Sequence, residues 1–203
     1  MNPTLIGVDI PRFGDPLRTD DVQRVLRHGL YEQMKDAFHA TGVPWQACHH
    51  EDRGDGILIV IPPDVRAAEI LGPLSQHLTA GLRRSNQAAD SLCRLRMRIA
   101  VHAGEIHRDD YGLLGQPLIL LYRLLNAPTF KAALENAPNA DLGILVSDQL
   151  YKDVVTSGLI DPDAYQRLPI DHKETHTCGH LWLPQPPRTA MTSRRRADAP
   201  GGR

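Results

Sequence analysis

GDGILIVIPP, residues 54–63, decides the fold. Gly54-Asp55-Gly56 is a tight hairpin turn signal, and Ile57 to Ile61 is a β-branched apolar run stopped by Pro62 and Pro63. A weakly alternating stretch around Trp45 to His49 precedes the turn, so the turn joins a second strand to a third. Further upstream, LIGVDI (5–10), closed by Pro11, reads as a buried first strand. Thr19, Asp20 and Asp21 then supply an N-cap and an acidic first turn. Val22, Val25, Leu26, Leu30, Met34, Ala37 and Phe38 follow at helical spacing until Gly42 stops the helix. Downstream of the hairpin, residues 64–86 predict a second amphipathic helix, with Val65, Ala68, Leu71, Leu74, Leu78 and Leu82 on one face. In LRMRIAVHAGEI (95–106), Leu95, Met97, Ile99 and Val101 alternate with arginines, which predicts a half-buried strand with its arginines outward.

The order β-α-β-β-α-β matches a ferredoxin-like core, in which helices cover one face of an antiparallel sheet. Gly112 and Gly115 make a turn before a helix opening at Pro117. A strand over 142–147, a helix capped by Ser147 or Asp148, and strands near Tyr165–Ile170 and His180–Leu183 complete the pattern. The expected fold class is α/β (α+β): an antiparallel-dominated sheet covered by helices, with an added αβ-rich C-terminal part.

Composition narrows the function classes. At 203 residues with 41% hydrophobic and 23% charged side chains, the chain has material for one core and not for two. The expected division is one domain over 1–184 and a disordered basic tail over 185–203. The tail holds Arg188, Arg194, Arg195, Arg196 and Arg203 against Asp198, so the net charge of −1 resolves into +4 there and −5 in the body. A −5 body is a poor partner for nucleic acid, whose binding rests on neutralising phosphates. No apolar run approaches the roughly 18 residues of a membrane span, and the N-terminus has no secretory pattern. Cys48, Cys93 and Cys178 are few, odd in number and far apart, which fits reduced thiols in a cytoplasmic setting.

Two aspartates carry the chemistry. Asp9 ends the first strand and Asp55 sits at the hairpin tip. If the first strand lies beside the third, both carboxylates reach one sheet edge across a strand spacing of about 5 Å. Two convergent carboxylates can hold a pair of Mg²⁺ or Mn²⁺ ions on a phosphate substrate. Taken singly, each aspartate is also an ordinary turn residue.

Val8-Asp9-Ile10 followed by Phe13-Gly14, then Glu51-Asp52-Arg53-Gly54-Asp55-Gly56, then Arg98-Ile99-Ala100-Val101-His102-Ala103-Gly104-Glu105, then Gly115 leading to Arg123-Leu124, stand in sequence. Together they resemble the class III nucleotidyl (adenylate/guanylate) cyclase domain over roughly residues 4–184. The DIPRFGD start is similar to divergent actinobacterial members. The resemblance implies cyclisation of a nucleoside triphosphate on two metals, in a homodimer or in a heterodimer with another cyclase-like chain. It assigns Asp9 and Asp55 to the metals, Arg123 to charge on the transferring phosphate, and Lys173 to the triphosphate. It also places backbone amides from Ile10 to Phe13 at phosphate and Glu51 at the base.

The departures are equally specific. Where the family carries a ribose-placing asparagine, four residues before Arg123, this chain has Ile119. Glu51 stands where adenylate cyclases carry a lysine, which nominally favours guanine, but Gly112 offers its usual partner no side chain. A catalytically degenerate module that binds nucleotide or a protein partner in signalling is the alternative. Among weaker candidates, Cys48 to Asp52 cannot converge on one metal because strand residues alternate faces. His102 reads as a sheet histidine. Arg94, Arg96 and Arg98 read as an anion site or as a solvated or helix-paired face. The apolar helix from Leu118 to Leu125 reads as core or as a dimer surface.

Overall fold

The computed structural model describes residues 2–184; the expected basic tail lies outside them. Seven strands make the sheet: β1 (Thr4–Asp9), β2 (His49–Asp52), β3 (Gly56–Ile61), β4 (Met97–Ala103), β7 (Leu142–Ser147), β8 (Tyr165–His172) and β9 (Thr175–Trp182). Their order is β2-β3-β1-β4-β7-β9-β8, with β4–β7 the parallel pair and every other pair antiparallel. A separate short hairpin, β5 (His107–Asp109) and β6 (Gly112–Leu114), occupies what the sequence reads as a plain turn.

The helices divide between the two faces. On one side lie α1 (Asp20–Thr41), α2 (Ala67–Asn86) and α5 (Asp148–Val155), which pack Leu30, Phe38, Leu74, Leu78 and Leu150 against Ile6, Val8, Ile59, Ile99 and Val146. On the other lie α3 (Gln116–Leu125) and α4 (Pro128–Glu135), which pack Leu121, Leu124 and Phe130 against Leu5, Leu58, Ala100 and Leu145. α1 starts and stops where its residues dictate. The Thr19 side chain accepts from Val22 N–H, and Gly42 ends the helix at φ +78°. Most of the apolar α3 is therefore core, while Ile119 remains about half exposed at 49%.

This two-sided cover corrects the expectation for the strand over 95–106. β4 is central and buried on both faces, so its arginine, Arg98, does not point into solvent. Arg98 is 9% exposed beneath the α3–α4 layer. Arg94 donates to Asp141 and to the Pro138 carbonyl, and Arg96 donates to the Leu134, Ala137 and Ala140 carbonyls around the end of α4. The helix-paired reading of that face holds, because a guanidinium fork satisfies helix-terminal carbonyls that would otherwise be buried unpaired.

Candidate active site

β1 and β3 build one rim of the sheet. Their register opposes Asp9 to Gly56, and beyond it the Ile10 N–H donates to the Asp55 carbonyl at 2.9 Å. Gly56 permits this approach. A Cβ there would stand 1.9 Å from the Val8 carbonyl oxygen and 3.0 Å from the Asp9 Cα. The turn beside it is held from below. Gly54, at φ +81°, donates its N–H to Asp52 Oδ1 at 2.8 Å. Asp52 is in turn gripped by Arg27 at 3.0 and 2.6 Å and by the Tyr31 hydroxyl at 2.5 Å. The Arg27 hydrogen bonds bring the Asp52 carboxyl down to about 2, while burial and then Asp52 push the Tyr31 phenol up to about 12. Asp52 thus anchors the loop to α1, and Asp55 is left exposed at the tip.

Asp9 is in a different environment. It is 8% exposed on the α3–α4 face and fully engaged by Arg98, whose Nε and terminal nitrogen donate at 2.9 and 2.5 Å. Burial pushes its carboxyl above the usual range, Arg98 pulls it part of the way back, and the charge of Asp55 pushes it up again. Lys131 on α4 acts in the opposite direction on Asp9. The Ile10 and Phe13 amides, expected at phosphate, are already engaged with the Asp55 and Ile10 carbonyls.

Glu51 and Gly112 meet across the hairpins. A Cβ on Gly112 would lie 3.8 Å from Glu51 Oε1, so the two positions are spatial neighbours although 61 residues apart. Glu51 also accepts from Arg53 and contacts His49 at 3.1 Å, and the Arg53 guanidinium sits 5.5 Å from the Tyr122 ring centroid. A shallow groove joins Ile119, Arg123, Lys131, His172 and Lys173. Lys173 occupies the β8–β9 turn at φ +54°, and Arg123 is held by Glu174 at 2.5 Å. The groove collects three basic side chains, Arg123, Lys131 and Lys173, with the exposed Glu174 carboxylate on Arg123.

Two cations here were not identified from sequence. For Arg98 the sequence leaves an anion site and a solvated or helix-paired face open, because apolar-basic alternation looks the same whether the basic side chain meets water or a buried carboxylate; the structure gives it the carboxylate of Asp9. Lys131 has no local signal and is placed by the fold of α4 alone. His102 is buried and bonds the Ser147 hydroxyl at 2.8 Å, in keeping with a structural histidine.

No protein-family model matches the chain, and no curated protein matches it. Solved structures do. The guanylyl cyclase Cya2 superposes with a TM-score of 0.59 at 18% identity, over 90% of this chain and 91% of that one. An adenylate/guanylate cyclase/hydrolase from Silicibacter pomeroyi gives 0.59 at 16%, over 91% and 98%. The guanylate cyclase domain of RhGC from Catenaria anguillulae, in complex with GTP, gives 0.54 at 14%, over 90% and 96%. The chain has the nucleotidyl cyclase fold. At these identities the likeness carries the fold alone. Among the described residues, a grouping of three metal-ligating side chains occurs elsewhere in this cyclase-like fold, at Asp148, Cys178 and His180. Asp9 and Asp55 contribute two carboxylates. No helix among the described residues is long and apolar enough to cross a membrane.

Proposed function

We propose that the protein is a slow, divergent class III nucleotidyl cyclase of the actinobacterial type. It acts in the cytoplasm as a homodimer or with a cyclase-like partner. The observation that supports this reading is the rim itself: the Ile10–Asp55 hydrogen bond and the Asp9–Gly56 register bring the backbones of the two aspartates to the same end of β1 and β3. Hard carboxylate oxygens are what Mg²⁺ or Mn²⁺ takes, and mutual repulsion at Asp9 is what a divalent cation relieves, so the donor set fits. To hold a cation, Asp9 would have to give up one of its two hydrogen bonds from Arg98. Bound there, such cations supply charge neutralisation on phosphate oxygens and activation of the attacking hydroxyl.

The remaining work falls to the chain's own residues. Arg123 offers a planar fork to the phosphate at which the ribose 3′-hydroxyl attacks and pyrophosphate leaves. Its present partner Glu174 is 83% exposed and competes weakly. Lys173 and Lys131, in the same groove, receive the triphosphate. Glu51 faces the base and nominally favours guanine. Ile119 leaves the ribose without a polar contact, a loss of about 10²–10³-fold in rate. In a dimer, the aspartates of one protomer face Glu51, Ile119, Arg123 and Lys173 of the other.

The same Ile119, apolar and half exposed on α3, favours a second reading: a module that binds nucleotide or a protein partner without turnover. Incubation with Mn²⁺ and each of ATP, GTP, CTP and UTP separates the two. Cyclic product that disappears in Asp55→Ala supports the enzyme. Absence of product, with metal-dependent nucleotide binding lost in Asp55→Ala, supports the module. Product or binding indifferent to Asp55→Ala overturns both.

A further inference from the structure

On the opposite face of the sheet from Asp9, three side chains converge that the cyclase reading does not use. Asp148 opens α5 directly after β7, and the β7–β9 register pairs Val146 with His180 and Ser147 with Gly179. One step further along that register brings Asp148 to Cys178. Cys178 and His180 are two residues apart on β9 and so share a face, the one that α5 covers. One ligand atom from each of the three lies within 4.8 Å of the others, and His180 Nε2 is 3.0 Å from Asp148 Oδ1.

The geometry points to a single transition-metal site at Asp148, Cys178 and His180, of the kind that takes Zn²⁺, independent of the nucleotide site. Thiolate sulfur, imidazole nitrogen and one carboxylate oxygen form a borderline-soft set that suits zinc, whereas Mg²⁺ and Ca²⁺ want oxygen throughout. Zinc bond lengths of about 2.0–2.3 Å in a tetrahedron put ligand atoms about 3.3–3.6 Å apart. The widest pair therefore needs to close by about 1.2–1.5 Å at most, while the His180–Asp148 pair, at 3.0 Å, opens by a few tenths of an ångström. The ligands are also braced from outside. The Tyr151 ring stacks on His180 at 3.6 Å and 6°, fixing the imidazole plane, and Lys152 holds the second Asp148 oxygen at 2.6 Å.

Burial decides what kind of site this is. Cys178 is 8% exposed and the His180 side chain 12%, while the Asp148 side chain is 26% exposed. Two ligands are inside and the third lies at the surface, which leaves a fourth position for water. Binding releases the thiol proton to solvent and pairs two anionic ligands with the dication, so the site is charge-balanced. Lys152 opposes the metal's charge, but its side chain is 70% exposed and swings clear into water. A metal here ties β9 to the start of α5. It thereby stiffens the β8–β9 hairpin whose turn carries Lys173.

The test uses the full chain stripped of metal by a chelator and titrated with Co²⁺, then with Zn²⁺. The expected result is one equivalent bound, with a thiolate-to-cobalt charge-transfer band that Zn²⁺ abolishes. The band should vanish in Cys178→Ser and affinity should fall at least tenfold in His180→Ala. Cys93→Ser, at a thiol outside the cluster, should leave the zinc equivalent unchanged. Should Cys178→Ser fold poorly, Zn²⁺ protection of Cys178 against alkylation in the unaltered chain, read by mass spectrometry, gives the same answer. Absence of the band, its survival in Cys178→Ser, or its loss in Cys93→Ser overturns the proposal. So does alkylation of Cys178 that is indifferent to zinc.

Discussion

Replacing Arg98 with Met strands the Asp9 carboxylate in the layer between the sheet and α3–α4. Both side chains are about nine-tenths buried, at 10% and 12% exposure, and they share two hydrogen bonds. Removing one partner of such a pair costs about 3–5 kcal/mol, because the other charge stays buried and uncompensated. For a chain of this size each kcal/mol moves Tm by about 2–4 °C, so Arg98→Met should melt about 6–20 °C below the parent. The double variant Asp9→Leu/Arg98→Met removes both charges and should recover most of that loss. Melting followed by circular dichroism with and without Mn²⁺ adds a functional arm. With Arg98 gone, Asp9 has no competitor for the cation, and Mn²⁺ at a hundred times its Kd should return about 2.7 kcal/mol. An Arg98→Met chain that melts within about 2 °C of the parent refutes the buried pair. A destabilised chain indifferent to Mn²⁺ refutes Asp9 as a cation ligand.

Gly56→Ala forces a methyl into the Val8 carbonyl, so β1 and β3 must part at the rim. Mn²⁺-dependent binding of nucleotide should fall at least tenfold, and unchanged binding would show that the rim does not hold the cations. Burial keeps the His102 imidazole below its ordinary 6.5. As pH drops from about 6.5 the unfolded chain takes up a proton that the folded chain refuses, and stability falls by up to about 1.4 kcal/mol per pH unit. The Tm difference between pH 7.5 and pH 5.5 should shrink in His102→Gln, and an equal difference removes His102 as the cause. Ile119→Asn, at a half-exposed position, should alter stability by no more than about 0.5 kcal/mol while raising cyclic-product formation at least tenfold. An unchanged rate favours the binding module.

Strands and helices whose residues repeat at period 2 or 3.6 were legible: Leu26, Leu30, Met34 and Phe38 do line the buried face of α1. The β5–β6 hairpin was not, because three residues per strand are too few for a period to show. The neighbourhood of Glu51 and Gly112 followed from resemblance and not from any local pattern, and the Gly112 backbone does come up against Glu51. Asp148, Cys178 and His180 form no pattern in the sequence, for a physical reason. Thirty residues separate the first from the second, and the antiparallel register of β7 with β9 alone brings them together. Side-chain partners chosen by topology, such as Arg98 for Asp9, leave no trace in periodicity.

On the proposed function, a divalent cation at Asp9 competes with Arg98 for the carboxylate, and the outcome depends on whether nucleotide arrives with it. A divalent ion arriving alone must unpair a buried guanidinium, which costs several kcal/mol. An ion arriving with a triphosphate brings phosphate oxygens that give Arg98 a new bidentate partner, so that cost is largely offset. Cation and nucleotide should therefore bind cooperatively, with a coupling of about 1–3 kcal/mol, or roughly 5–150-fold in each other's affinity. Calorimetry of Mn²⁺ with and without a non-hydrolysable triphosphate measures it, and linkage requires the same factor when the order is reversed. In Arg98→Met the competitor is gone: Mn²⁺ alone should bind more tightly and the coupling should shrink toward nothing. Equal Mn²⁺ affinity with and without nucleotide in the parent chain would mean that Arg98 never releases Asp9, and the rim would then be a structural clasp.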